Sequence, residues 1–161
     1  MDTTIRPLAA ILRLNQRLML NCLDGLDDEA AQRRHASGVN SASFIAAHVT
    51  DSRFFILRTL GGLLDNPLSA SLDKAKSIDD VTEWPTLDVI RAAWNAVSTA
   101  IDERLEALTA EELAAPSERG FPGVERTRLG VLTFLVQHDT YHVGQLALLR
   151  KAAGLPAMSY R

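Results

Sequence analysis

His138-Asp139-Thr140-Tyr141-His142 sets two imidazoles four residues apart inside a long apolar-periodic segment, followed at once by Val143-Gly144-Gln145. Residues at i and i+4 of an α-helix stand one turn apart on the same face, so both rings can reach a single metal ion. Val131, Leu135, His138, His142, Gln145 and Leu149 step by 4, 3, 4, 3 and 4 and trace one stripe of such a helix. Neutral imidazoles in an apolar stripe need partners for their ring nitrogens. They are either core histidines satisfied by neighbouring groups or a pair of metal ligands.

A metal would require a third ligand, because two imidazoles alone seldom hold one. His35 adjoins Arg33-Arg34 and precedes Ser37-Gly38, and reads as a surface residue. His48 instead interrupts the apolar stripe of another segment. In a bundle of up-down-up-down topology the second and fourth helices run parallel. On that premise His48 lies about 12 Å into its helix, and His138 and His142 roughly 16 and 22 Å into theirs. The expectation is that His48, His138 and His142 converge inside one end of the bundle. The chain has no Glu-x-x-His and a single cysteine, Cys22, so neither a di-iron carboxylate centre nor a Cys–His zinc site fits. What remains is a mononuclear three-histidine site with a position open to water or substrate.

Asp139 stands where a zincin H-E-x-x-H carries its general base, although aspartate is one methylene shorter. It is therefore either a catalytic base or a carboxylate that supports a ligand or faces water. Gln145 can orient a ligand or water, or sit in the core as a paired amide. Tyr141 and Asn15 are further donors with the same two readings.

The elements that must position these residues are helices. One runs from about Ile5 to Leu23, with Leu8, Ile11, Leu12, Leu18, Met19 and Cys22 on one face and Gly25 closing it. A second opens at Asn40-Ser41 and runs to Gly61-Gly62, with Phe44, Ile45, His48, Ser52 and Phe55 on the inward side. A third begins at Thr86 and repeats Leu87, Ile90, Trp94, Val97, Ile101, Leu105 and Leu108. The fourth runs from near Thr127 to Gly154-Leu155-Pro156. Short turns fall at 27–32 and at the capping box Thr109-Ala110-Glu111-Glu112. The loops 64–85 and 110–126 show no strand alternation. This is an all-α four-helix bundle, with 1–161 expected as one domain.

Apolar residues make up 47% and charged residues 23% of the 161, which excludes wholesale disorder. The net charge of −3 without a basic cluster gives no footprint for nucleic acid. No run suits a membrane span or a secretory leader, and a lone cysteine suits a reducing compartment, so a cytoplasmic protein is expected.

Asn40-Ser41-x6-His48 and His138-x3-His142-x2-Gln145-x3-Leu149-Arg150-x3-Gly154 together resemble the DinB/YfiT-like metalloproteins, in length and helix count as well as in motifs. The resemblance implies a mirror variant of the up-down-up-down bundle. It implies a divalent metal, commonly zinc or nickel, held by residues corresponding to His48, His138 and His142, and it implies homodimers. Family activities include thiol-dependent S-transferases and a thiol-dependent isomerase. The implied function is a metal-dependent S-transferase acting with a low-molecular-weight thiol on a small-molecule substrate. The alternatives are a hydrolase using metal-bound water with Asp139 as base, and a metal-binding stress protein without turnover.

Overall fold

The computed structural model describes residues 1–72 and 77–160, so positions 73–76 of the expected loop 64–85 lie outside the described residues. Four long helices form the body: α1 (Arg6–Leu23), α3 (Ala42–Thr59), α5 (Leu87–Ala107) and α7 (Arg128–Ala152). Three short ones decorate the connections: α2 (Asp28–Gln32), α4 (Ser69–Leu72) and α6 (Ala110–Ala114). Among the described residues the only β-type pairing is an isolated bridge between Pro116 and Thr127. The bundle is all-α, as expected.

Helix starts follow from side-chain caps. Ser41, Thr86, Thr109 and Thr127 each accept a backbone N–H from the first turn of α3, α5, α6 and α7. The capping box closes as written in the sequence: Thr109 Oγ1 accepts from Glu112 N at 3.2 Å and Glu112 Oε2 from Thr109 N at 3.0 Å. Gly25 and Gly154 end their helices at φ +76° and +81°, a region β-carbons disfavour.

The helix directions differ from the expectation. Trp94 donates to Gln16 O and Arg91 to Leu23 O, so α5 runs against α1. Asn15 meets Thr140, and Arg150 reaches Cys22 O and Asp24 O, so α7 runs with α1. Arg53 meets Ser98 and Arg104 meets Leu60 O, so α5 runs with α3. The order is therefore up, down, down, up, and α3 and α7 are antiparallel, not parallel. α1 and α3 each pack on both α5 and α7. The physical reason lies in the connection 60–86: parallel neighbours need a return path along the whole bundle, and this segment is long enough to give one.

Burial corrects two stripes. Ile11 was expected inside and is exposed, while Asn15 takes a core position. On α3 the stripe Phe44, His48, Ser52 and Phe55 is only half-buried; the core is filled by Ile45, Ala46, Val49, Arg53, Ile56 and Leu57. On α7 the histidines are likewise only half-buried, and Leu132, Leu135, Val136, Asp139, Val143 and Leu146 face inward.

The centre of the bundle is charged. Arg53 donates from Nε to Asp139 Oδ2 at 2.8 Å, from one terminal nitrogen to Ser98 Oγ at 2.6 Å and from the other to Leu12 O at 2.9 Å. Its guanidinium lies 3.7 Å from the ring centroid of Trp94. Burial pushes the Asp139 carboxyl up and the Arg53 guanidinium down, and their mutual attraction opposes both. A guanidinium does not give up its proton in proteins, so Asp139 faces a fixed positive charge at 2.8 Å that favours its carboxylate form. Arg53→Met should lower stability by about 3–5 kcal/mol, because it strands a buried carboxylate, and Arg53→Met/Asp139→Leu should recover most of the loss. Urea unfolding of the three proteins checks this; a double variant no better than the single would show that the charges themselves are needed.

Candidate metal centre

His48 projects from the first half of α3, and His138 and His142 from successive turns of α7. His48 Nε2 lies 3.2 Å from His138 Nε2, and His142 Nε2 lies 3.0 Å from the same atom. One ring nitrogen from each of the three lies within 4.8 Å of the others, and the group could hold a metal ion. The convergence was expected, but the depth argument for it was not sound. Because α3 and α7 are antiparallel, the start of α3 meets the later part of α7, and matching depths from both N-termini is irrelevant.

The nitrogen geometry fits an ion. Zinc–imidazole bonds of about 2.0–2.1 Å in a tetrahedral site set ligand nitrogens about 3.3–3.4 Å apart. The observed 3.0 and 3.2 Å need only a small opening. His138 Nε2 offers one proton or one lone pair, so it cannot make a full hydrogen bond to both neighbours, whereas a cation between the three nitrogens would satisfy all of them.

The surroundings set the tautomers. Gln145 Oε1 lies 2.7 Å from His142 Nδ1 and accepts its proton, which leaves the Nε2 lone pair free to ligate. Gln145 Nε2 in turn donates to the Tyr141 hydroxyl at 3.0 Å. Phe44 stacks parallel to His48 at 6.1 Å, and Trp84 meets Phe44 edge-on at 6.3 Å. His138 Nδ1 is buried with no protein partner among the described residues. Burial lowers all three imidazole pKa values; His138 is pushed down to about 4, with His142 and His48 adding to the effect of burial. The rings are therefore neutral at pH 7, the form that binds metal.

Other candidates fall elsewhere. Asp139 is fully buried against Arg53 and is absent from the histidine cluster. Asn15 donates to Thr140 Oγ1 at 3.0 Å and ties α1 to α7. Cys22 is a buried free thiol, pushed up to about 11 by burial. His35 lies on the exposed connection after α2. Sequence reasoning missed Arg53. Its only signal was a charge at a position where the apolar run of α3 should continue.

A four-helix bundle with three histidines on the facing, antiparallel α3 and α7 defines the class, and the comparisons agree on the family and the fold. The sequence model of the DinB superfamily matches residues 11–146, and the chain belongs to that superfamily. Its fold is similar to that of a DinB-like protein from Bacillus cereus ATCC 10987, with a TM-score of 0.72, 22% identity and 96% of each chain covered. It is also similar to a conserved protein from Enterococcus faecalis, with a TM-score of 0.77, 13% identity, and 95% of this chain and 98% of that one covered. No curated protein matches. Among the described residues, no helix is long and apolar enough to cross a membrane.

The lowered histidine pKa values make the metal-free protein acid-sensitive. An unfolded chain takes up these protons near pH 6.5, whereas the folded chain resists until lower pH, so stability present above 6.5 is lost as pH falls toward about 4. Thermal midpoints measured with chelator should drop across that window more steeply for the wild type than for His138→Gln. Equal slopes would show that this imidazole is not held neutral by the fold.

Proposed function

We propose that His48, His138 and His142 hold one divalent transition-metal ion, zinc or nickel, and that the protein is a metal-dependent enzyme of small molecules. The observation carrying this reading is the meeting of three neutral imidazole nitrogens from two antiparallel helices on a half-buried face. Imidazole suits both metals, and three protein ligands leave a position for an exogenous group. Bound there, the ion supplies Lewis acidity that holds a coordinated thiol as its thiolate near neutral pH.

The activity we propose is thiol-dependent S-transfer. The protein's own groups orient and shield. Gln145 holds the His142 ring in its ligating tautomer; Phe44 and Trp84 form an apolar wall beside His48. Tyr141, 57% exposed at the rim, accepts from Gln145 and keeps its own O–H free to donate to a ligand. Hydrolysis with Asp139 as general base is the second reading, and it draws less support. A base must reach a water at the metal, and this carboxylate is spent on Arg53 in the core.

Elemental analysis should give one metal ion per chain. His48→Ala, His138→Ala and His142→Ala should each lose it, while His35→Ala keeps it and all four remain helical. Gln145→Leu should keep the ion but weaken its binding about 10–100-fold, since an unanchored ring must be ordered by the metal itself. Thiols screened against electrophiles should give conjugation that chelation abolishes. Conjugation untouched by chelator would overturn the enzyme reading, and stoichiometric metal in His48→Ala would overturn the triad.

A further inference from the structure

At the other end of α3 from His48, a cleft of about 490 Å³ gathers Phe55, Arg58, Thr59, Glu118, Arg119 and Arg128 in its lining. The antiparallel crossing creates it: the last turn of α3 meets the first turn of α7, and the loop between α6 and α7 closes the side. Arg58, Arg119 and Arg128 thus come from three separate stretches of chain, and none makes a side-chain ion pair or hydrogen bond among the described residues. Arg13, Arg33, Arg34, Arg53, Arg91 and Arg104 are all paired with carboxylates. Arg6 and Arg17 are also unpaired, but they stand apart on the exposed side of α1. Three guanidiniums against the one carboxylate of Glu118 leave an excess of two positive charges in the cleft. Like charges so gathered repel unless an anion joins them.

The cleft is built to stay in place. Pro116 and Thr127 form a bridge, Ser117 N donates to Arg126 O at 3.1 Å, and Arg128 N donates to Ala115 O at 3.0 Å. Arg126 clamps the carbonyls of Ser117 and Glu118. A β-carbon on Gly130 would fall 2.0 Å from Glu125 O, so the loop is seated directly on α7. Phe55 supplies the aromatic part of the lining, and Arg119 lies 5.3 Å from its centroid and 5.5 Å from that of Phe121, which stacks on Phe134 at 4.4 Å. The positive end of the 25-residue α7 adds to the attraction for anions. The C-terminal end of α3 opposes it, but its Leu60 carbonyl is already taken by Arg104 at 2.6 Å.

We infer that this cleft is a binding site for a small organic polycarboxylate, whose carboxylates pair with Arg58, Arg119 and Arg128 and whose apolar skeleton lies on Phe55. Planar guanidiniums match carboxylates in bidentate fashion, and the aromatic face favours a carbon framework over a bare inorganic anion. The site does not depend on an ion being bound at the histidines, and it is tested without one.

The probe is benzene-1,3,5-tricarboxylate, which offers three carboxylates around an aromatic plane. Calorimetry with chelator-treated full-length protein at low salt should give a Kd below about 1 mM. Arg58→Gln and Arg128→Gln should each weaken binding roughly fivefold or more, and the variant with Arg58, Arg119 and Arg128 all changed to Gln should not bind. Arg128→Lys should be intermediate, because it keeps charge but not the fork. Arg6→Gln should bind as the wild type does. The three arginines make no side-chain ion pair or hydrogen bond among the described residues, so the variants should fold, and circular dichroism checks that they do. Absence of binding, or binding that survives the triple substitution, would overturn the site. Inorganic phosphate binding through the same arginines as tightly as the tricarboxylate would overturn the ligand class.

Discussion

The guanidinium of Arg53 is the point on which the bundle turns. It comes from α3 and bonds Asp139 of α7, Ser98 of α5 and the Leu12 carbonyl of α1, with Trp94 of α5 covering its face. One buried cation therefore touches all four long helices. Burying a charge is costly unless it is fully paired, and here a slide of any helix would leave a donor or the carboxylate without its partner. The network thus penalises every register but one. Its place beside the histidines matters: Asp139 is the neighbour of His138, and Arg53 lies on the helix that carries His48. The pair that locks α3 against α7 also fixes where the three imidazoles meet.

From that crossing the rest of the half-buried face follows. The side of α3 and α7 turned away from Arg53 is only half-buried, and along it run the histidines, then Phe134 and Phe55, then the arginines at the helix ends. Interior packing supplies rigidity on one side, and the open side supplies access. Gln145 and Tyr141 extend the same logic outward by fixing a tautomer with an amide whose other end is tied to a phenol.

The sequence carried the local information well. Caps at Ser41, Thr86 and Thr127, the box from Thr109 to Glu112 and the glycine stops set the helix ends within a residue or two, because each depends on neighbours in the chain. The histidine set was legible for the same reason, as departures from an apolar period. Helix direction was not: it is settled by contacts such as Arg53 with Ser98 and Asn15 with Thr140, between residues distant in sequence. Asp139 shows the limit most plainly. Its spacing from His138 and His142 suggested a base or a supporting carboxylate, and nothing local disclosed Arg53 across the core. The three arginines of the cleft, scattered over 58–128, were invisible as a group for the same reason.

The central claim is that imidazoles from both α3 and α7 meet on one ion. X-ray absorption at the metal edge of zinc-loaded protein tests it most directly, since multiple scattering from imidazole counts the rings bound. The expected result is three imidazoles at about 2.0–2.1 Å with one further light ligand in the unsubstituted protein, and no stoichiometric metal to give an edge once His48 is replaced by Ala. An unsubstituted protein whose metal carries no imidazole, or only oxygen ligands, would contradict the account.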